Sequence, residues 1–312
     1  MQDPTKKITY GAMMSALFTI LLVGSFYLPV IGVLMMLFVP IPMILYRLKH
    51  DRTSSIFVVL IAMVLSLIPG GLLILPTAII FGFLGFIIGE LIVLKKTKLY
   101  IYMASGLFML VSLILLYIGS IFLFNINPID GLMASMDSVQ QRMMEIFTLY
   151  GELPKDYEEV IESAFQTYKA AIPALFITST YVFTFMIIMP SLEVVRRMGF
   201  DVPKFPPFRE MKLPVVTIFV YGLLILLPFI MDMKVESTIY LIYINATIIL
   251  RLLFLLQGIA LIHYFMHKMK LPGVVTFFTT VLAILLNPIT TLLGIVDIGM
   301  NIRAWIGKDN LK

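Results

Sequence analysis

Arg251 is the residue whose chemistry is hardest to explain as packing, because it lies within a long apolar segment. Tyr240, Tyr243 and Thr247 precede it at intervals of three and four, which places all four side chains on one helical face. A guanidinium keeps its charge in a protein, so Arg251 needs carbonyls, water, a carboxylate or an anionic ligand. We therefore predict that these residues, with Tyr181 from a second apolar segment, bind a polar or anionic molecule.

Asp297 offers a structural alternative for the same arginine. It lies about nine residues after Asn287-Pro288, at a depth in the bilayer that we expect to match that of Arg251. An unpaired charge at the centre of a spanning helix costs roughly 2.5–3.5 kcal/mol by insertion scales. The sequence therefore leaves two interpretations open: an Arg251–Asp297 ion pair, or an arginine that contacts substrate.

Residues for catalysis are scarce elsewhere. The three histidines, His50, His263 and His267, lie at predicted ends of apolar segments and have no carboxylate at ligand spacing, so we predict no metal site. The absence of cysteine excludes thiol chemistry, disulfides and zinc–thiolate sites. Motifs for a P-loop, a dinucleotide site or a serine nucleophile are also missing. We predict no enzymatic activity and no cofactor. Glu90 and Glu193 lie close to basic clusters, where we expect solvated or paired structural roles.

The composition determines which elements hold these residues. The chain has 312 residues, of which 60% are hydrophobic and 13% charged, with a mean hydropathy of +1.02. A soluble domain could not cover so much apolar surface with so few charges. The apolar runs are continuous rather than alternating, which excludes a β-barrel. We predict an all-α, polytopic transmembrane bundle.

About eight spans follow from these runs, with a further apolar stretch at the carboxy terminus. Breakers at Pro29 and at Pro69-Gly70-Gly71 predict tight hairpins. The last stretch, 272–303, would form a helix of ~48 Å. We predict two short arms meeting at Asn287-Pro288, with a single kinked span as the alternative. The eight predicted spans are 8–28, 30–46, 54–68, 72–94, 99–124, 170–195, 214–231 and 238–266.

Charge predicts the orientation. Of the 23 Lys and Arg residues, 18 fall on one side of this threading. The positive-inside rule places that side, and both termini, in the cytoplasm. These basic residues cluster at span ends, so the net charge of +5 predicts no nucleic-acid binding. The chain then divides into a five-helix half at 1–124, an extracellular acidic loop at 125–169 and a carboxy-terminal membrane half at 170–312.

The acidic loop contains two segments with helical periodicity, 136–150 and 160–168, each with an apolar stripe. The first stripe comprises Met136, Val139, Met143, Phe147 and Tyr150, and the second comprises Val160, Ile161, Ala164, Phe165 and Tyr168. One interpretation is an amphipathic hairpin that lies on the outer ends of the spans. The other is a lid over an outward-facing pocket, because long ordered loops often carry function.

The first span contains two small-xxx-small pairs on adjoining strips, Gly11 with Ser15 and Ala12 with Ala16. Small side chains allow another helix to approach closely, either from the same chain or from a partner. The alanine pair, with the breaks at Pro29 and at Pro69-Gly70-Gly71, resembles the start of the substrate-capture (S) subunits of energy-coupling-factor vitamin transporters. The first half is therefore expected to be S-component-like.

Nearly the whole chain resembles the YybS-like family of bacterial membrane proteins of unknown function, thought to be distant relatives of those subunits. The resemblance rests on the segment Asp201-Val-Pro-Lys-Phe-Pro-Pro-Phe-Arg-Glu-Met-Lys-Leu-Pro214 and on the ending Gly294-Ile-Val-Asp297-Ile-Gly-Met-Asn-Ile-Arg303. The transporter resemblance implies that Ala12 and Ala16 contact an energising ATPase/scaffold module. It also implies that a small molecule binds in the outer half. The leading hypothesis is a bilayer-embedded substrate-capture subunit; the alternative is a scaffold that binds partners and transports nothing.

Overall fold

The computed structural model describes residues 4–149, 155–204, 206–234 and 237–303, and the regular structure within them is helical. Seven helical segments among the described residues are long and apolar enough to cross a membrane, one of them being Ile31–Lys49, and one bent helix pair passes the same test together. The predicted all-α, polytopic transmembrane bundle is confirmed.

The helices follow the predicted spans closely. They are α1 Pro4–Tyr27, α2 Ile31–Met36, α3 Ile41–Lys49, α4 Arg52–Gly70, α5 Leu75–Val93, α6 Lys98–Phe124, α7 Pro128–Leu149, α8 Lys155–Ala170, α9 Ile172–Arg197, α10 Val216–Ile230, α11 Thr238–Lys268, α12 Gly273–Leu285 and α13 Asn287–Met300. The chain forms two compact units: unit 1 comprises Met1–Pro128 with Ser179–Phe205, and unit 2 comprises Ile129–Thr178 with Pro206–Lys312. Helix α9 therefore contributes its start to unit 2 and the rest to unit 1.

The breaks in unit 1 lie where the sequence predicts them. The chain turns after Pro29, with Val30 at φ 63°, and again at Gly71, with φ 62°, a conformation that favours glycine. The predicted span 30–46 is divided into α2 and α3 by a short turn that ends at Pro40. Side-chain oxygens cap two of the following helices, since Asp51 accepts from the Ser54 amide at 3.0 Å and Thr97 from the Tyr100 amide at 3.3 Å.

One continuous apolar core fills unit 1. Fully buried side chains come from α1, α3, α4, α5, α6 and α9, including Phe18, Leu84 and Ile187. Glycines on α5 bring the helices close: a Cβ at Gly85 would lie 2.4 Å from the Pro40 carbonyl oxygen. Close backbone approach of this kind holds helices together where lipid is as apolar as the side chains.

Charged groups lie at the ends of the unit 1 helices. The Arg47 Nε lies 2.5 Å from Glu90 Oε2, and Glu193 pairs with both Arg196 and Arg197. Of the solvated and paired roles that the sequence leaves open for Glu90 and Glu193, the structure has the paired one.

The acidic loop is helical, as predicted, over α7 and the described part of α8. The half-buried stripe of α7 comprises Met133, Met136, Gln140 and Met143, whereas the predicted stripe members Val139 and Phe147 are exposed. The predicted register of that stripe is therefore wrong in part, because methionines on two adjoining faces satisfy the same periodicity. Tyr150 lies outside the described residues.

Helix α8 docks within unit 2 at its carboxy-terminal end. Lys169 Nζ lies 2.5 Å from Asp137 Oδ1 on α7, and the Thr167 hydroxyl bonds the Tyr240 hydroxyl of α11 at 3.1 Å. The principal cavity of this loop, about 480 Å³, lies along α7 and is lined by Asp137, Gln140 and Glu145. The lid interpretation stays a prediction.

The carboxy-terminal stretch forms two half-length helices. Helices α12 and α13 have 13 and 14 residues, and their axes differ by 102° across a break at Leu286. Each would span ~20 Å, short of a ~30 Å hydrocarbon core. The break lies at the predicted Asn287-Pro288. The 102° angle between α12 and α13 is intermediate between the two predicted alternatives, a single kinked span and a hairpin of two arms.

Candidate functional site

A buried polar network lies at the centre of unit 2, between α11 and α13. Asp297 and Gln257 are both fully buried, and Gln257 Nε2 donates to Asp297 Oδ2 at 2.6 Å. Arg303 Nε donates to the same oxygen at 3.0 Å. The carboxylate thus meets one amide and one guanidinium, as a buried charge requires. Its other oxygen, Oδ1, is buried and has no hydrogen-bond partner among the described residues.

The proline-rich strap, residues 206–214, closes one side of this network. Three prolines, Pro206, Pro207 and Pro214, remove backbone donors and keep the strap irregular apart from a 3-10 turn at Phe208–Glu210. The amide of Leu213 donates to Gln257 Oε1 at 3.0 Å.

Contacts at the end of α13 also hold the strap. Arg303 Nη1 donates to the Arg209 carbonyl at 2.7 Å, and Lys212 Nζ donates to Asn301 Oδ1 at 2.9 Å. The two segments on which the family resemblance rests therefore meet at one place.

A glycine crossing brings α11 and α13 into backbone contact. A Cβ at Gly258 would lie 2.0 Å from the Thr290 carbonyl oxygen, and one at Gly294 would lie 2.0 Å from the Phe254 carbonyl oxygen. No other residue type fits either position without moving the helices apart. The crossing places Gln257 and Asp297 close enough to bond directly.

The predicted Arg251–Asp297 pair is wrong. Helix α13 ends at Asn301, whose left-handed conformation (φ 49°) reverses the chain and returns Arg303 to Asp297. Depth in the bilayer alone could not distinguish the two arginines. The sequence did contain a signal for this reversal: Asn301 lies four residues after Asp297, and asparagine tolerates φ above zero.

Arg251 itself is exposed, with no hydrogen bond or ion pair in the part of the chain that the structure describes. It lies within the 31-residue α11. The principal cavities of about 480 and 590 Å³ are lined by other residues. Neither of these two cavities includes Arg251 in its lining.

The other members of the predicted stripe have separate surroundings. Tyr240 bonds Thr167 through its hydroxyl, and its ring lies 6.4 Å from that of Tyr243. Tyr243 is half-buried, and the Thr247 hydroxyl is buried without a partner among the described residues. Tyr181 belongs to unit 1, where its carbonyl accepts from the Tyr102 hydroxyl at 3.3 Å. The structure thus joins Tyr240 with Tyr243 but gives Tyr181 a separate role in packing.

Asn245 is a polar residue of α11 that the sequence analysis did not select. Its Nδ2 donates to the Ala170 carbonyl at 2.7 Å, and its Oδ1 accepts from the Ala174 amide at 2.6 Å. One side chain therefore provides hydrogen-bond partners for a carbonyl in the last turn of α8 and an amide in the first turn of α9. Pro173, which favours the first turn of a new helix, was the available signal for this break.

The two small-residue pairs of α1 face different surroundings. Gly11 and Ser15 are buried, and a Cβ at Gly11 would lie 3.0 Å from Val58 of α4. Ala12 and Ala16 are exposed. The glycine–serine pair packs inside unit 1, and the alanine strip is available to lipid or to another protein.

Comparison with known proteins identifies the family of this chain. Residues 16–298 match the family described as "Predicted membrane protein (DUF2232)". The chain belongs to this family. It is also 26% identical over 307 residues to "Uncharacterized protein YybS" of Bacillus subtilis (strain 168), an alignment covering 96% of this chain and 98% of that protein. No solved structure matches. The predicted YybS-like membership is confirmed, and the protein is an integral, multi-pass membrane protein.

Proposed function

We propose that this protein is the partner-binding subunit of a membrane complex, in which α11 presents Arg251 to a helix of the partner. The observation that supports this is the exposed Arg251 side chain, without an acceptor among the described residues. Arg251 lies ~20 Å from the first residue of α11 and ~25 Å from the last. A side chain at this depth cannot reach the headgroups on either side of a ~30 Å core without distorting the bilayer.

The partner that fits Arg251 is a transmembrane helix with an aspartate or glutamate near the bilayer midplane. Carboxylate is the partner that binds a guanidinium in bidentate geometry and cancels its charge. Association would remove the cost of the lone arginine, which supplies a driving force that apolar helix surfaces lack in lipid. In this proposal the chain has no catalytic role of its own.

Photo-crosslinking tests the proposed contact. Crosslinking residues placed at Ile248 and Leu255, one turn to either side of Arg251, should capture one partner in membranes. The matched control is Ile242, which is 60% exposed on the same helix and about 180° away around its axis. Capture that is equal at all three positions would contradict the proposal.

The chemistry of the captured partner gives the second part of the test. Its crosslinked peptide should carry a carboxylate inside a span, and neutralising that carboxylate should reduce capture as much as Arg251→Gln does. Exchanging the charges, Arg251→Asp with the partner's acid changed to Arg, should restore capture. A partner without such an acid would overturn the assignment to Arg251.

The exposed alanine strip supports a second contact, with the energising ATPase/scaffold module that the transporter resemblance implies. Replacing Ala12 and Ala16 with Leu should prevent co-purification with such a module while leaving the helical content unchanged. Met13→Phe, on an adjoining exposed strip, is the control for added bulk. Unchanged association in the double variant would exclude this surface.

Capture of a small polar or anionic molecule from the outer side is the second candidate function. It is favoured by the unpartnered Thr247 hydroxyl, which lies one turn from Arg251 and from Tyr243. Mass spectrometry of molecules retained by the purified protein tests it. A ligand present in wild type and absent from both Arg251→Gln and Thr247→Val would support capture; retention in neither wild type nor variants would exclude it.

The proposed orientation has the amino terminus in the cytoplasm of a bacterial cell and α7 outside. The cysteine-free chain permits labelling of a single cysteine at Ser138. Labelling only from the cytoplasmic side would reverse the orientation.

A further inference from the structure

A cavity of about 590 Å³ lies in unit 2 where the proline-rich strap, the end of α11 and the start of α12 meet. It is separate from Arg251, and its lining contains no acidic residue. The polar part of the lining consists of Arg209, His263, His267, Gly273, Thr276 and Thr280.

Arg209 gives the cavity a fixed positive charge. Its side chain is half-buried and has no hydrogen bond or ion pair within the described ranges, although its carbonyl holds Arg303. The carboxylate of Asp297 is already engaged by Arg303 and Gln257, and neither Asp297 nor the neighbouring Glu210 lines the cavity. The arginine therefore retains donors for a ligand.

His263 is held so that one ring nitrogen remains unused. The Thr280 hydroxyl donates its only hydrogen to the Thr276 carbonyl at 2.7 Å. The same hydroxyl lies 2.7 Å from His263 Nε2, so Nε2 must donate to it. Nδ1 is then left to accept, or to donate once the ring is protonated. His267 lies one turn further along α11, exposed and with no side-chain partner among the described residues.

The start of α12 adds donors on the opposite wall. Pro272 precedes the helix and provides no side-chain cap. The amides of Gly273 and Val274 come before the first amide with a helical acceptor, Val275, so they remain available as donors. Gly273 lines the cavity. The helix dipole at this end favours a negative charge.

We infer that this cavity binds a phosphate monoester or diester. The first amides of α12 supply hydrogen-bond donors for the phosphate oxygens, and the Arg209 guanidinium supplies donors and the positive charge. The two imidazoles add polar groups to the same wall. Phe208, Leu271 and Phe277 form the apolar remainder of the wall, beside which an acyl or prenyl chain would lie. The phosphate is carried either by an amphiphile of the membrane or by a soluble ester, and the two sources are distinguishable by experiment.

The test uses the full chain, purified and freed of lipid in neutral detergent. Thermal stabilisation is measured with inorganic phosphate, glycerol 3-phosphate, short-chain phosphatidic acid and, as an uncharged analogue, short-chain diacylglycerol. We expect stabilisation by phosphatidic acid and none by diacylglycerol. Arg209→Gln should weaken the affinity roughly tenfold or more, since it removes a charge-assisted hydrogen bond to the phosphate.

Two control variants separate a built site from general basicity. Lys270→Gln removes a positive charge at the same end of α11 from a residue that does not line the cavity, and should leave the affinity unchanged. His267→Gln should weaken binding less than Arg209→Gln.

Stabilisation by phosphatidic acid alone would assign a membrane amphiphile, and equal stabilisation by glycerol 3-phosphate a soluble ester. Overturning results would be no response to any of the phosphate compounds, a response to diacylglycerol as large as that to phosphatidic acid, or equal loss of affinity in Lys270→Gln and Arg209→Gln.

Discussion

Units 1 and 2 are held together by different means. Unit 1 has a continuous core of apolar side chains from six helices, with its ion pairs near the helix ends. Unit 2 has fewer buried apolar residues, and its centre is a carboxylate–amide–guanidinium network beside a glycine crossing. Helices in lipid gain little from apolar contact alone, so unit 2 should be more sensitive to single polar or glycine substitutions.

The comparison can be tested unit by unit, because the natural chain has no cysteine. Single cysteines at the fully buried Ala62 of unit 1 and Ala260 of unit 2 report opening of each unit by their rate of thiol labelling. The labelling rates at both positions are measured in every variant.

Breaking the Asp297 network should have the largest effect. Asp297→Ala should destabilise unit 2 by about 3–5 kcal/mol, because Arg303 would remain as an unpaired cation. Arg303→Ala should have an effect of similar size, and the double variant should be less destabilised than the sum of the two. Arg251→Ala combined with Asp297→Ala should show no such recovery; additivity in the Asp297–Arg303 cycle would contradict the network.

Filling the glycine crossing should have the next effect. Gly294→Ala should destabilise unit 2 by about 1–3 kcal/mol, since its Cβ would meet the Phe254 carbonyl oxygen. Gly222→Ala on α10 is the matched control, because nothing lies within 4 Å of a Cβ there. Equal stability of the two variants would show that the helices separate at no cost.

Truncating the apolar core of unit 1 should have a smaller effect. Leu84→Ala removes a fully buried side chain, which leaves a cavity. In the membrane the loss is mostly contact energy rather than transfer from water, so we expect about 1–2 kcal/mol. The Ala62 probe should respond and the Ala260 probe should not; a response larger than that to Gly294→Ala would reverse the comparison.

Acidification should produce the smallest effect, at the junction of α3 and α4. Burial, and to a lesser extent the charge of Lys7, lowers the pKa of His50 below its ordinary 6.5. The unfolded chain therefore binds a proton more readily, and stability from this group is present above about pH 6.5 and falls below it. His50→Gln should flatten the stability profile between about pH 7 and 5, as measured by labelling of the Ala62 probe.

Asp51, beside His50, should act at lower pH. Its hydrogen bond from Lys7 holds its pKa well below the usual range, so its contribution is present above about pH 4 and is lost on further acidification. Asp51→Asn should change the profile only there, which separates the two groups.

The sequence predicted the spans well, because bilayer thickness and breaker residues determine where apolar helices begin and end. The predicted span 99–124 is α6 at Lys98–Phe124, and 238–266 is α11 at Thr238–Lys268. The partner of Asp297 was not predictable from depth, since it depends on the left-handed backbone at Asn301. Asn245 was missed because its partners are backbone groups, and no side-chain pattern shows which amides a helix break exposes.

The break between α12 and α13 also bears on how the protein is made. Neither half-length helix is long enough to enter the bilayer alone, and α13 carries the buried Asp297. Ribosomes complete α11, with Gln257 and Gly258, before either of them. We expect α11 to serve as a template on which α12 and α13 insert as a unit after Arg303 has been synthesised, which makes their insertion a slow step of biogenesis.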